Sequence, residues 1–462
     1  MVTVTSHGAA KTVTGSCHLM EFENGLKVLI DCGMYQGAEE DKNYEPFGFD
    51  PRKIDYLLLT HGHLDHVGRI PLLVKQGFKG IIVATSATFD LAKIVLLDSA
   101  KLMEEEYKTR FKKAQRKGKE REVKKPLYTI KDVKSVFKQK KIKVKYEKKI
   151  EISKNVIAVF KDAGHIIGSA FIEIVYFKHN AKKRVIFSGD LGNRYNNVLP
   201  SPAKPKAAQT VFIESTYGDR CHRTYEDSVD EFKNAVIETI SNKGNVLIPS
   251  FAIERTQQIL AIFKEMEIKR ELPSNAKVFL DSPMAIKATK IYKRYKHLLS
   301  NRYKKFGNPF SFSQLRLVTN IENSKKINDL KWGNIIIAGS GMCNGGRILH
   351  HLKHRLWNEK NSVIFVGFQA KGTLGREIVD GAKTVKIFDE DIIVRAKIYT
   401  INGFSAHADQ KELLEWIEKI DNLKNIFLIH GEENKQTIFK KAIENYTGLN
   451  AHIVEPNEKI FI

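Results

Sequence analysis

Residues 60–66 read Thr-His-Gly-His-Leu-Asp-His and follow directly on the apolar run Tyr56-Leu57-Leu58-Leu59, so His61, His63, Asp65 and His66 are crowded together at the end of a buried strand. Gly62 permits the tight turn that swings all four toward one point. Imidazole nitrogens and carboxylate oxygens together suit zinc, or less often manganese or iron. The plainer reading is a polar loop that happens to hold three histidines; it is disfavoured because histidine, when clustered, is the commonest metal ligand. A fold that completes such a site must bring further ligands to the same rim.

The chain offers them in a repeated pattern. Apolar runs end at Asp31, at His61, at Asp190 after Val185-Ile186-Phe187, at Glu214 after Val211-Phe212-Ile213, and at His430 after Ile426-Phe427-Leu428-Ile429. Side chains at the carboxyl ends of neighbouring strands project to one rim of a sheet, where ligand sites form, so these residues are expected at one shared site. His165 lies between Gly164 and Gly168, in the connection joining two further apolar runs. Alone it reads as a structural histidine; beside a site short of ligands it reads as one of them.

A length of 462 residues predicts two or three domains. Hydrophobic content of 42% with 28% charged residues marks a globular chain, and no apolar run approaches a membrane span. With no signal segment at the start, the cytoplasm is the default location. Cys17, Cys32, Cys221 and Cys343 stand far apart without a C-x-x-C pair, against both a disulfide framework and a zinc knuckle. Net charge is +23, and residues 101–150 alone hold 20 Lys and Arg against 7 Asp and Glu. A phosphate-backbone partner is one reading and an ordinary solvated surface the other; charge alone does not decide. With helical spacing around Leu102, Tyr107 and Phe111, this stretch is expected as surface helices over the core. From about Gly218 to Asp391 strands alternate with helices, which predicts an α/β domain with a largely parallel sheet. The first domain is expected to resume with the run Ile392–Ile401. The expected division is therefore 1–216 and 392–462 for one domain, with 217–391 inserted.

Taken in order, Asp31, His61-Gly62-His63-Leu64-Asp65-His66, His165 and Asp190 resemble the four motifs of metallo-β-lactamase-fold nucleases. Glu214 in Glu-Ser-Thr-Tyr-Gly, His407 in Phe-Ser-Ala-His-Ala-Asp and His430 in Ile-His-Gly-Glu resemble the three further motifs of the β-CASP group within that family. The resemblance covers essentially the whole chain. It implies an αββα metallo-β-lactamase sandwich with an inserted α/β (β-CASP) domain, and two zinc ions per chain. One ion would be held by His61, His63 and His165, the other by Asp65, His66 and His430, with Asp190 bridging both. Asp31 would stand behind them and orient a ligand by hydrogen bond. Catalysis is implied for Asp65, His407 and Glu214: paired dications lower the pKa of a shared water toward about 7, His407 protonates the leaving ribose oxygen, and Glu214 fixes its orientation.

His430 stands where the DNA-processing branch generally has valine, so RNA is the expected partner. The chain opens on its first strand and ends soon after His430, which resembles the compact prokaryotic form of the endonuclease subunit of the pre-mRNA 3′-end cleavage factor more than ribonuclease J or ribonuclease Z. The expectation is a zinc-dependent ribonuclease that cuts single-stranded RNA internally. A 5′-to-3′ exoribonuclease on the same site, an RNA-binding subunit of a processing complex, and a lactam or thioester hydrolase on this fold are the rivals. Homodimerisation is left open and no membrane partner is expected. For RNA contact, the turn from Ser340 through Gly341, Gly345 and Gly346 to Arg347 lies between a strand and a helix, an arrangement that presents N–H groups to a phosphate; a plain tight connection is the alternative. Arg255, Lys371 and Arg376 are candidate phosphate neutralisers, with surface charge as the competing role. His350, His351 and His354 are expected to be structural or RNA-facing.

Overall fold

A computed structural model describes residues 2–178, 181–194 and 198–462. The chain divides into two compact units: residues 1–192, 202–221 and 407–462 form the first, and 193–201 with 222–406 the second.

In the first unit the chain runs through β1 (Thr3–Gly8), β2 (Cys17–Glu21), β3 (Lys27–Ile30), β4 (Tyr56–Leu58), β5 (Ile81–Thr85) and β6 (Lys141–Val144). It continues through β7 (Lys149–Ser153), β8 (Val156–Asp162), β9 (Ala170–Lys178), β10 (Ala181–Phe187) and β11 (Thr210–Glu214). The second unit holds β12 (Val246–Pro249), β13 (Lys277–Asp281), β14 (Leu315–Leu317), β15 (Asn334–Ala338), β16 (Ser362–Phe365), the hairpin β17 (Thr384–Ile387) and β18 (Glu390–Ile393), and β19 (Lys397–Thr400). The chain returns to the first unit with β20 (Asn425–Ile429), β21 (Ala451–Ile453) and β22 (Lys459–Phe461).

Two seven-stranded sheets, ordered β22-β1-β2-β3-β4-β5-β6 and β21-β20-β11-β10-β9-β8-β7, make up the first unit. Their inner faces pack on each other through Val4, Val28, Ile30 and Leu58 on one side and Phe160, Ile172, Ile174 and Phe187 on the other. Strand pleating sends alternate residues to opposite faces: Ile172 and Ile174 point inward, while Phe171 and Ile186 point outward onto Leu413, Trp416 and Phe439 of the helices Gln410–Glu418 and Glu433–Thr447. On the other outer face, Leu59 and Ile82 meet Phe89, Ala92 and Leu96 of the helix Ser86–Gln115. Covered on both faces, the central strands read as near-continuous apolar runs. This is the expected αββα sandwich. Both chain ends build it: β22 pairs with β1, and β20 lies parallel to β11.

The second unit is an all-parallel six-stranded sheet, ordered β14-β13-β15-β12-β16-β19, with helices between its strands. Two stretches differ from the sequence reading. Ile392–Ile401 does not rejoin the first unit: Ser362 to Phe365 pair with Lys397 to Thr400, so β19 closes an edge of the second unit's sheet. Nor is 101–150 helical throughout, since β6 and β7 form an edge of each sheet of the first unit.

Candidate metal centre

Five strand ends meet at one rim of the first unit. Asp31 follows β3 with φ +60 and accepts from the Thr60 N–H (2.8 Å) and hydroxyl (2.7 Å). Its Oδ2 also lies 2.8 Å from His66 Nδ1, which turns the other ring nitrogen of His66 inward. Past β4 the chain turns at Gly62, where a Cβ would stand 2.8 Å from Leu91 Cβ. The helix Leu64–Val67 then carries Asp65 and His66. His165 sits in the β8–β9 connection, its N–H donating to Ser169 Oγ (3.1 Å). Asp190 follows Gly189, whose φ of +51 and approach to Thr60, 2.7 Å from a Cβ to Thr60 Cβ, leave no room for a side chain. His430 follows β20, with Thr216 Oγ1 3.1 Å from its Nδ1.

The nitrogens converge in two groups. His63 Nδ1 lies 3.1 Å from His61 Nε2 and 3.2 Å from His165 Nε2, and Asp190 Oδ2 lies 3.5 Å from each of those Nε2 atoms. His66 Nε2 and His430 Nε2 are 3.3 Å apart, with Asp65 Oδ2 3.5 Å from His430. Asp190 Oδ1 is 3.2 Å from His66 Nε2 and 3.7 Å from His430 Nε2, so each oxygen of this carboxylate faces one group.

This donor set fits a pair of cations. His63 Nδ1 is approached by two ring nitrogens, and a proton satisfies only one such pair. Tetrahedral ligands at 2.0–2.1 Å from zinc stand about 3.3 Å from each other, the spacing found here. Asp190 Oδ1 is buried with no hydrogen bond of good geometry. Burial pushes His63 down to about 4 and His61 well below the ordinary imidazole value, whereas against the same burial Asp190 and Asp31 raise His66 well above it and Asp190 and Asp65 raise His430, so that protons stand in the second group where a cation would displace them. Burial opposes the charge on Asp65, but the hydrogen bond from His430 and the charge of His66 hold it down at about 2. Asp190 stays ionised against the same penalty because His430, His66 and His61 surround it. Buried carboxylates ringed by imidazoles call for positive charge at their centre.

Beside this pair, His407 Nδ1 lies 3.1 Å from Glu214 Oε2 and 4.0 Å from Asp190 Oδ2. Glu214 is fully buried and also accepts from the Leu191 N–H (2.6 Å). Burial opposes protonation of His407, but the Glu214 carboxylate outweighs it and raises the imidazole to about 9.

All ten residues predicted for metal binding and catalysis, Asp31, His61, His63, Asp65, His66, His165, Asp190, Glu214, His407 and His430, come together here. Sequence reasoning missed the hydroxyls that orient them, Thr60, Ser169 and Thr216; each lies within four residues of a named site residue, the signal that could have found them. The residues predicted for RNA contact lie in the second unit. Arg347 is engaged by Asp281 Oδ1 (2.6 Å) and the carbonyls of Val318 and Thr319, Arg255 is buried, and Arg376 meets Asp380 (2.8 Å). Lys371 is exposed. The Ser340–Gly346 turn uses its Ser340, Cys343 and Asn344 N–H groups internally, and Gly346, with φ +77, would bring a Cβ 2.3 Å from Gly339 O. His351 is buried against Asp281 (2.7 Å), a structural role.

Family models match in three places: a metallo-β-lactamase superfamily domain at residues 10–133, a Beta-Casp domain at 256–378, and a Zn-dependent metallo-hydrolase RNA specificity domain at 391–454. The chain is 41% identical over 444 residues to a protein named Ribonuclease TTHA0252 from Thermus thermophilus, covering 95% of each. It is 32% identical over 459 residues to a protein named Transcription termination factor FttA from Methanocaldococcus jannaschii, covering 96% of this chain and 69% of that one. A solved structure of a protein of unknown function from Enterococcus faecalis shares the fold, with a TM-score of 0.59 at 12% identity over the full length of both chains.

Proposed function

The chain belongs to the β-CASP ribonucleases of the metallo-β-lactamase superfamily, and from that premise we propose that it is a zinc-dependent endoribonuclease acting on single-stranded RNA. The observation that carries this reading is Asp190, whose two oxygens face two separate ligand groups, with the His407–Glu214 pair at their side. His61, His63 and His165 would hold one ion, Asp65, His66 and His430 the other, with Asp190 shared. A pair of ions held by these residues would supply an acidified water and charge stabilisation for phosphoryl displacement.

The chain's own residues supply the rest. Glu214 fixes the His407 ring through Nδ1, so the proton to be given stands on Nε2. Donation from that atom to the departing ribose oxygen contributes about 10²–10⁴-fold. Asp31 and Thr216 hold the Nδ1 atoms of His66 and His430, which keeps the Nε2 lone pairs directed inward. In the second unit, Lys371 and the remaining N–H groups of the Ser340–Gly346 turn are the proposed phosphate contacts.

The test is cleavage of internally labelled single-stranded RNA beside matched DNA, with a chelator and then with zinc restored. Internal fragments from RNA alone, lost with the chelator and regained with zinc, are expected. A mononucleotide ladder from the 5′ end would replace the endonuclease reading with the exonuclease one. Two bound metals with no cleavage would return the chain to an RNA-binding role.

A further inference from the structure

An open groove of about 710 Å³ lies in the first unit between the turn Gly37–Tyr44 and the carboxyl-terminal end of the helix Ser86–Gln115, and none of the metal-centre residues lines it. Its walls carry five cations, Arg110, Lys113, Lys117, Lys119 and Lys124, against the three carboxylates Glu40, Asp41 and Glu122, with Tyr44 46% exposed among them. The Lys124 ammonium sits over the Tyr44 ring, 4.9 Å from its centroid.

Local pairing accounts for only part of this charge. Lys124 meets Asp41 (2.7 Å), Lys119 meets Glu122 (3.6 Å) and Arg110 meets Glu106 (3.5 Å). Lys113 in the last turn of the helix and Lys117 in the turn that follows it both line the groove and pair with no carboxylate among the described residues. Residues 108–119 hold seven Lys and Arg and no acid. Cations crowded on one short stretch without acids repel one another, and an anion lying between them relieves that repulsion. Cations lining an open groove beside an exposed aromatic ring suit a single strand: the ammonium groups follow the phosphates and the ring stacks on a base.

The groove is also tied to the metal centre. A Cβ on Gly33 would lie 1.6 Å from the Asp65 carbonyl, and Met34 N–H donates to Leu64 O (3.0 Å), so the chain leaves the metal rim at this point. Only three residues separate Gly33 from Gly37 at the groove's edge, and the four steps between them span at most about 14 Å.

We propose that the groove between Gly37–Tyr44 and the end of the Ser86–Gln115 helix is a second RNA site, which grips single-stranded RNA flanking the bond cut at the metal centre. It rests on the ribonuclease reading for its ligand and is tested apart from it. Binding of a labelled unstructured RNA with a phosphorothioate backbone, which resists cleavage, is measured by fluorescence anisotropy against salt with the zinc-loaded full chain. Lys113→Gln/Lys117→Gln is expected to weaken binding about 10-fold and to lower the slope of log affinity on log salt by about 1.4. Tyr44→Ala is expected to cost fivefold or more. All three positions are exposed, and unchanged thermal midpoints confirm the fold. Unchanged affinity and slope in both variants would overturn the site, as would displacement of RNA by polyglutamate as readily as by unlabelled RNA. RNA of the same sequence with a natural backbone, bound with the same losses in the two variants but not cut, would overturn the nuclease reading and leave this one standing.

Discussion

Asp31 and His407 both touch an imidazole system at the same centre, yet they act at different points. Asp31 holds His66 from behind at 2.8 Å, so Asp31→Ala is expected to lower metal affinity about 10–100-fold, measured by competition with a chelator. His407 is held by Glu214 and belongs to neither ligand group, so His407→Ala is expected to slow cleavage about 10²–10⁴-fold with metal content unchanged. Equal loss of metal in the two variants would remove His407 from the role of acid. Among the candidate site residues, Asp31, His61, Asp190 and His430 were legible because each ends an apolar run and carries a metal-binding atom, and His165 because it stands between glycines near a site short of ligands. Thr216 was not, since a threonine beside a strand end has no distinguishing chemistry until His430 is seen 3.1 Å away. Arg347 misled for a related reason: a cation after a glycine-rich turn looks free in sequence, and only the fold brings the Asp281 carboxylate to it.

At the scale of elements, strand ends are aimed by glycines. Gly189 has φ +51, and a Cβ there would stand 2.7 Å from Thr60 Cβ, so Gly189→Ala meets both backbone strain and a clash. A loss of about 1–3 kcal/mol is expected from overpacking, together with weaker metal binding because Asp190 is the next residue. A variant with wild-type thermal midpoint and metal content would show that this turn does not aim Asp190. The elements misread from sequence share a cause. Lys141-Ile142-Lys143-Val144 and Lys149-Ile150-Glu151-Ile152 alternate charged and apolar residues with the period of a strand, and their charged positions are exposed at sheet edges. Their high charge resembles the preceding surface helix, and periodicity over four residues is a weak signal. For β19 the difficulty was order along the chain: nothing in Lys397–Thr400 says which unit it joins until its pairing with β16 is known.

Across the molecule, the two units depend on different ionisations, and this separates their stabilities. The candidate ligands of the first unit run from His61 to His430, so a metal bound there would stabilise that unit by linkage, about 2.7 kcal/mol at a hundredfold excess over Kd. The second unit has its own buried charge network: Asp281 accepts from Ser324 Oγ (2.6 Å) and Arg347 Nη1 (2.6 Å) and lies 2.7 Å from His351 Nε2. Burial works against ionisation of Asp281, but His351, Ser324 and Arg347 together hold its pKa below the ordinary carboxylate value. A depressed folded-state pKa adds stability that is present above the unfolded value and lost as pH falls through the folded one. His351 acts in the same direction: burial, only partly offset by Asp281, lowers its pKa, so from about pH 6.5 downward the unfolded chain takes up a proton that the folded one refuses. Acid therefore weakens the second unit through both groups. Asp281→Asn leaves the buried face of Arg347 without its anion and is expected to cost about 3–5 kcal/mol at pH 7. In calorimetry, chelation should lower the transition of the first unit and Asp281→Asn that of the second. The gap between wild type and Asp281→Asn should narrow as pH falls toward the carboxylate range, because the wild type then loses what the variant never had. A gap that stays constant from pH 7 to pH 4 would mean that the Asp281 charge does not stabilise this unit.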